Sequence, residues 1–521
     1  MTITTAKCRS GGLPPRIVLS VPLALLAVVL SAPARAQIRL QPAIDVRETY
    51  SDNVGLQPDE NAHGQFITDV TPSIALTSNS RRLKLNANLA AHLYAYSGER
   101  QANTSSSSIQ ASLNGRLTGV EDLLYVDASA SRSRQAISAF GQQSQSSYST
   151  ANQDDVSTWR ISPYLVRHYG FGDGELRYTH DQVSSGGNLL NNSTGDSLQF
   201  RLGSGATYSK FGYDALAYHQ DLDSGQAGKS ATDNASLTLR YRLLPTFSPY
   251  ARVSYDRYTY DGLGGSNAGK GYAAGFTWRP SARTSVDASA GRRYFGKTYS
   301  LDLTQRSRRT VMRASYSDDI TTSRGQFLQP NTVDTASLLD ASFAAAFPDP
   351  VARQQAIDAY IRANGLPTSV VNNVNYFSNR LLLQRSLQAS IAVNGARSTA
   401  IVSFNNTKRN ALSTASADGS LATPAFPNLN DDVRQRTVTA ALSYRLSSRS
   451  AATLQASTSR SQSPGVNVAQ EQNLLSLNLS HRFQTKLTGN VELRHNQGKT
   501  FSQDGRTYKE NAISASLSYK L

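Results

Sequence analysis

Cysteine is all but missing: the 521 residues contain one, Cys8. It lies in an N-terminal leader, so once that leader is removed the chain can form neither disulfides nor thiolate metal sites. Beyond the leader there is also no apolar run long enough for a helix to span a bilayer, which excludes a helical membrane protein. A transmembrane β-barrel is not excluded, because its signal per segment is weak. With only 39% hydrophobic residues, whatever apolar surface the chain has must be concentrated on particular faces.

The leader itself is plain. Lys7, Arg9 and Arg16 precede the apolar run VLSVPLALLAVVL, which ends in APARA. This is a secretory signal peptide over residues 1–36, cleaved between Ala36 and Gln37 after the small-residue site Ala34-Arg35-Ala36; the apolar run is short for a membrane anchor. The mature part, residues 37–521, has 485 residues. The leader's four basic residues, Lys7, Arg9, Arg16 and Arg35, leave with it, and the formal excess falls from +16 to +12. On an exported protein that excess points to anionic glycans, lipid headgroups or anionic solutes rather than nucleic acid.

From Gln37 onward one unit recurs: about ten residues of strict alternation, a turn, another such stretch, then a longer polar loop. In RRLKLNANLAAHLYAYS, Leu83, Leu85, Ala87, Leu89, Ala91, Leu93 and Ala95 fall on one face. Arg82, Lys84, Asn86, Asn88, His92 and Tyr94 fall on the other, since successive strand side chains point to opposite sides of a sheet. The same pattern returns in ASLTLRYRLL, TVTAALSYRL, LLSLNLSHRF and the closing NAISASLSYKL. Hairpin turns are expected at NS (79–80), SKFG (209–212), PSAR (280–283), SSRS (447–450) and QTK (484–486). Between hairpins lie long loops rich in Ser, Gln, Asn, Gly and Asp, such as SRQAISAFGQQSQSSYSTANQDDVST. Short turns on one side and long loops on the other are the asymmetry of outer-membrane barrels, with short periplasmic turns and long extracellular loops. The prediction is an all-β chain forming a single large antiparallel transmembrane β-barrel of about 22 strands, within a range of roughly 18 to 22. A soluble solenoid would need a fixed repeat period, and a run of sandwiches a turn every 8 to 12 residues without the long and short asymmetry.

Residues 319–377 break the rhythm. Inside them, PDPVARQQAIDAYIRANGLP carries helix signals: Asp349 as N-cap, Pro350 at the first position, Gly365 after the end and Pro367 beyond. They predict a helix over about 350–364 in a long extracellular insert, with Ala356, Ile357, Tyr360 and Ile361 along one side. Two readings stand, a lid or plug over the barrel and an outer loop packed on the rim.

VRETYSDNVGL near the mature start, followed by FITDVTPSIAL, and later GFTWRPSARTSVDASAGRRYFGKTYS followed by TQRSRRTVMRASYSDDITT, occur in an order that is similar to one known group. The chain resembles the outer-membrane β-barrel proteins associated with PEP-CTERM/exosortase exopolysaccharide systems, most closely over residues 44–78 and 271–325. It departs from them at Ser51, where the family usually has Thr, and it ends in Leu521 rather than the C-terminal Phe many outer-membrane proteins favour, with Tyr519 two residues back on the same face. The resemblance implies a barrel that works beside polysaccharide synthesis and export.

If the Leu and Ala faces meet lipid, register lines the lumen with Arg82, Lys84, Arg177, Arg201, Arg240, Arg242, Arg252, Arg313 and Arg494. A guanidinium is always charged and grips carboxylate or phosphate at two points, so such a lumen favours anionic solutes or acidic polysaccharide. The alternative is pairing with lumenal acids such as Glu175, Asp181, Asp256 and Glu492 to hold the barrel rigid. Among the 25 tyrosines, Tyr50, Tyr94, Tyr96, Tyr258, Tyr260 and Tyr519 sit at strand ends, where interfacial girdles are expected. None of the seven histidines falls in a metal-binding spacing; the fragments that could belong to a hydrolase site are His180 with Asp181 and His495 with serines distant in sequence. No cofactor and no enzymatic activity are expected. The expected function is a passive conduit or accessory pore for an anionic exopolysaccharide. The alternative is a plugged barrel that retains polysaccharide or exported proteins at the surface, and a hydrolase ranks behind both. Expected partners are outer-membrane lipid and lipopolysaccharide, exopolysaccharide secretion components and the barrel-assembly machinery.

Overall fold

An alternating segment buries only half its side chains, so it needs neighbours on both edges and two different surroundings on its faces. In a bilayer core no water is present to satisfy an open edge, and the sheet must close. That is what the computed structural model of the chain contains. It describes residues 38–187, 190–205, 210–225, 228–260, 265–328, 343, 353–354, 356–357, 375–421, 428–499 and 506–521; the signal peptide and its junction at Ala36 and Gln37 lie outside them.

One half of the ring consists of β1 (Ile38–Ser51), β2 (Gln65–Asn79), β3 (Leu83–Tyr96), β4 (Ser107–Val120), β5 (Leu124–Ala136), β6 (Gln153–Tyr169), β7 (Gly172–Ser185), β8 (Ser193–Gly203), β9 (Phe211–Asp223), β10 (Lys229–Tyr241) and β11 (Phe247–Tyr260). The other half holds β12 (Gly265–Ser281), β13 (Thr284–Arg293), β14 (Gly296–Arg306), β15 (Thr310–Thr321), β16 (Leu382–Asn394), β17 (Ser398–Ala411), β18 (Asp432–Arg445), β19 (Ser450–Ser463), β20 (Val468–Arg482), β21 (Leu487–Lys499) and β22 (Thr507–Lys520). Each strand pairs antiparallel with the next, and β1 also pairs with β22, from Ala43 opposite Lys520 to Ser51 opposite Ala512. The result is a closed barrel of 22 strands, which excludes sandwiches and solenoids.

The turns at one end are short: 80–82, 121–123, 170–171, 282–283, 307–309, 395–397, 446–449 and 483–486. The other end carries 52–64, 97–106, 137–152, 322–381 and 412–431. The asymmetry is not universal, since β13 and β14 are joined at the outer end by Tyr294 and Phe295 alone.

β22 shows how the faces divide. Ile513, Leu517 and Tyr519 are exposed on the outside, Leu517 by 53%, while Ser514 and Ser516 between them are 7% exposed on the inside. In the β12–β13 hairpin, Tyr272, Phe276 and Trp278 face outward, and Thr277 and Asp287 face the lumen. Gly275 also faces in, and a Cβ there would lie 2.5 Å from the Tyr250 ring. The missing side chain lets Tyr250 lie flat against the wall and donate to Asp287 Oδ1 at 2.8 Å, beside Thr277 Oγ1 donating to Oδ2 at 2.6 Å.

The girdle expectation holds for Tyr50 and Tyr519, which are exposed on the outer face, and fails for others. Tyr94 and Tyr258 are buried and, with Tyr96 and Tyr260, point inward near the outer end, where Tyr96 donates to Ser105 O at 2.6 Å and Tyr260 to Asn379 O at 2.8 Å. A phenol can satisfy its hydroxyl on a loop carbonyl as well as at a lipid interface, and the loops here come to meet it.

Candidate functional site: a basic lumen beneath folded loops

The apolar clusters of the described residues lie at the outer mouth, where loops fold inward. Ala139 and Phe140, from the loop between β5 and β6, pack with Tyr376, Leu429 and Val433. β5 and β6 stand across the ring from β18 to β20, so this loop crosses the lumen. Its far contacts are polar: Gln472 Nε2 and Asn496 Nδ2, on β20 and β21, donate to Gln143 O at 2.6 and 3.2 Å. Arg494 on β21 donates to Ser146 Oγ at 2.7 Å and to Glu510 Oε1 at 2.9 Å. Ser51 Oγ donates to the same carboxylate oxygen at 3.0 Å, and Tyr148 Oη at 3.4 Å. Burial pushes the Tyr148 phenol above its ordinary pKa, which keeps the proton it donates. On the near side Arg134 Nη1 satisfies the carbonyls of Ser147 and Ser149 at 2.5 and 2.7 Å. A loop this deep would otherwise leave buried carbonyls unmatched.

The described parts of the insert between β15 and β16 add further contacts at the mouth. The insert opens with a short helix, α1 (Ser323–Leu328), that the sequence does not signal. Arg324 in α1 pairs with Asp181 on β7 and donates to Ser193 Oγ at 2.6 Å. Arg409 on β17 donates to Gln326 Oε1 and Asn375 Oδ1, both at 3.0 Å, and Phe377 packs with Val156, Val183 and Leu190. Of the helix predicted over 350–364, Arg353, Gln354, Ala356 and Ile357 are described; they are helical, and Ile357 is fully buried. The rest of it lies outside the described residues.

Beneath these loops the lumen is polar and charged. One cavity of about 660 Å³ near the periplasmic turns is lined by Arg201, Arg240, Arg242, Arg279, Asp173, Asp214 and Asp287. Another of about 660 Å³, below α1, is lined by Arg160, Arg177, Arg252, Arg293, Tyr218, Tyr258 and Tyr260. A third includes Lys84, Arg116, Tyr164 and Arg177.

The predicted lumenal residues separate in this setting. Arg177 is held by Glu175 at 2.8 Å and Asp127 at 3.1 Å, with its guanidinium 3.8 Å from the centre of the Tyr164 ring. Arg201 pairs with Asp214 at 2.8 Å, and Arg313 lies 3.5 Å from Asp302. Arg240 and Arg252 have no carboxylate within ion-pair distance among the described residues: Arg240 stacks 5.5 Å over Tyr250, and Arg252 donates to Thr238 Oγ1 at 2.9 Å. Lys84 and Arg242 line cavities, Arg242 from the turn after β10. Two expectations change. Arg82 sits exposed in the turn before β3 and lines none of these cavities, because the strand starts one residue later. Arg494 faces inward but is sealed under the β5–β6 loop rather than open to the lumen. Sequence reading missed Arg116, Arg134, Arg160, Arg324 and Arg409, and Arg293, which it left between a polymer contact and a neighbouring acid, pairs with Asp256 at 2.8 Å. Alternation in SFNNTKRN contained the signal for Arg409, in step with the inward Ser403, Asn405 and Thr407; nothing local marks Arg324, and the parity of β5 puts Arg134 on the outward face.

His180 and Asp181 do not form a pair. As neighbours on a strand they point to opposite faces: His180 lies outside, 2.8 Å from Asp196, and Asp181 inside with Arg324. Among the described residues no group of three or more His, Cys, Asp or Glu could hold a metal ion.

No family model and no curated protein matches the chain. Among solved structures, the FrpB iron transporter from Neisseria meningitidis (F5-1 variant) superposes with a TM-score of 0.50 at 11% identity, over 92% of this chain and 82% of that one. The siderophore receptor PirA from Pseudomonas aeruginosa gives a TM-score of 0.46 at 10% identity, over 94% and 81% of the two chains. At such identities the likeness to FrpB is one of fold. With the closed ring and its apolar outer face, it makes this chain a multi-pass β-barrel of the outer membrane.

Proposed function

We propose that this barrel is a passive conduit or accessory pore for an anionic exopolysaccharide, working with the secretion components of a PEP-CTERM-type system and closed at its outer mouth in the resting state. The observation that carries this reading is the placement of Arg240 and Arg252. They face the lumen on adjacent strands, Arg240 opposite Tyr250 and Arg252 opposite Thr238, with no carboxylate partner among the described residues. A lumenal arginine that only stiffens the wall has an acid against it, as Arg201 has. These two are left to meet a passing carboxylate or sulfate.

The inward-folded loops favour a second reading, a permanently plugged barrel that retains polysaccharide at the surface. Conductance in planar bilayers separates the two. For the conduit, a barrel with its β5–β6 loop shortened conducts with anion preference, and R240E/R252E shifts that preference towards cations. A shortened barrel that conducts with no change of selectivity in R240E/R252E overturns the role given to these arginines. One that never conducts supports the plugged reading.

A further inference from the structure

On the outward face, above the apolar band, charge is distributed unevenly round the ring. Arg385 on β16 stands opposite Lys408 on β17, Lys408 opposite Arg434 on β18, and Arg436 opposite Arg460 on β19. Even spacing along each strand puts them on the same face as Val402, Val438 and Leu454, which are exposed to the outside. All five lie towards the loop end of their strands. On the far side of the ring, at the same end and on the same face, acids prevail: Asp196, Asp221, Asp223 and Asp233 stand there with His180 and His219, against Lys229 opposite Asp223 and Arg257 opposite Asp233.

We propose that the patch on β16 to β19 holds the phosphate groups of lipopolysaccharide, those on its lipid A, in the outer leaflet. Acids are present but outnumbered. Arg385 lies 3.8 Å from Asp318, Lys408 3.5 Å and Arg434 3.3 Å from the shared Asp432, and Arg460 3.3 Å from Glu471. Among the described residues Arg436 meets only Asn406 Oδ1, at 3.4 Å. Arg434 and Arg460 keep 43% and 51% of their side chains exposed, so these pairs hold the cations in place weakly and yield readily to a stronger acceptor. Phosphate is such an acceptor, and guanidinium meets it at two points.

The position selects a lipid over a soluble anion. A ligand whose phosphates rest on Arg434, Arg436 and Arg460 has its acyl chains along Val438, Leu454 and Leu475, exposed apolar residues further down β18, β19 and the adjacent β20. A soluble polyanion gains the charges alone.

The test uses the full barrel in mild detergent and measures binding of lipopolysaccharide, of lipid A stripped of both phosphates and of a soluble anionic polysaccharide. R434A/R436A/R460A should bind lipopolysaccharide about a hundredfold more weakly, at the usual worth of a basic residue beside an anionic surface. D221N/D233N on the far sector should bind as the wild type does. Wild-type protein should discriminate against the dephosphorylated lipid by a similar factor, a readout that needs no variant to assemble. Heat-modifiable gel mobility confirms that each variant is a folded barrel. Unchanged binding by the triple variant, equal binding of the dephosphorylated lipid, or displacement of lipopolysaccharide by the soluble polyanion at equal charge would each overturn the proposal. It is independent of what, if anything, passes through the lumen.

Discussion

Removing Ala139 to Ser146 from the loop between β5 and β6 should turn a silent barrel into a conducting one. A ring of 22 strands encloses a lumen far wider than wall side chains fill, so whatever closes it must come from loops. This loop reaches from β5 and β6 over the lumen to β20 and β21, through Gln143 to Gln472 and Asn496 and through Ser146 to Arg494. The deletion removes all of those contacts and the Phe140 packing against Tyr376, Leu429 and Val433. It leaves the wall intact, because strand pairing does not involve these residues. Planar-bilayer recordings should show steady open events absent from the wild type, and cells should become sensitive to large antibiotics that the intact outer membrane excludes. Silence in both assays would mean that the insert anchored by Arg324 and Arg409 seals the lumen by itself.

The second large effect is expected at Arg494. It and Glu510 are 9% and 2% exposed, and R494M leaves the Glu510 carboxylate buried with only the hydroxyls of Ser51 and Tyr148. Removing one partner of a buried pair costs about 3–5 kcal/mol. Glu492 is a lesser concern, since Arg47 stands 3.8 Å from it. The loss falls on the latch: Ser146 and Tyr148 lose their donor, and limited proteolysis should cut within 137–152 while the barrel keeps its heat-modifiable mobility. R494M/E510M should recover much of the protection, because replacing both charges by apolar groups is often close to neutral. Equal protease resistance in R494M and wild type would show that Gln143 and Phe140 hold the loop without the ion pair.

The two effects differ in how far sequence anticipates them. Strand identity, the lipid-facing side of each strand and the short-turn end were legible in stretches such as NAISASLSYKL, because alternation is a property of ten neighbouring residues and a bilayer rewards it directly. Closure follows from the same physics, since an open edge cannot persist in lipid. Arg201, Arg240 and Arg252 could be placed on the inner face by parity alone. What parity could not supply is which inward residues meet water and which meet another loop. Tyr96 and Tyr260 read as girdle residues and are loop anchors; Arg494 reads as a lumen lining and is a sealed latch. Ser146 and Arg494 are 348 residues apart, and nothing near either one in the chain announces the other. By itself, then, the sequence determined a closed barrel with one greasy face and one basic face. Only the tertiary structure decided that the mouth is covered, because a loop's docking site depends on which strands the ring sets opposite it, and no local periodicity encodes that distance.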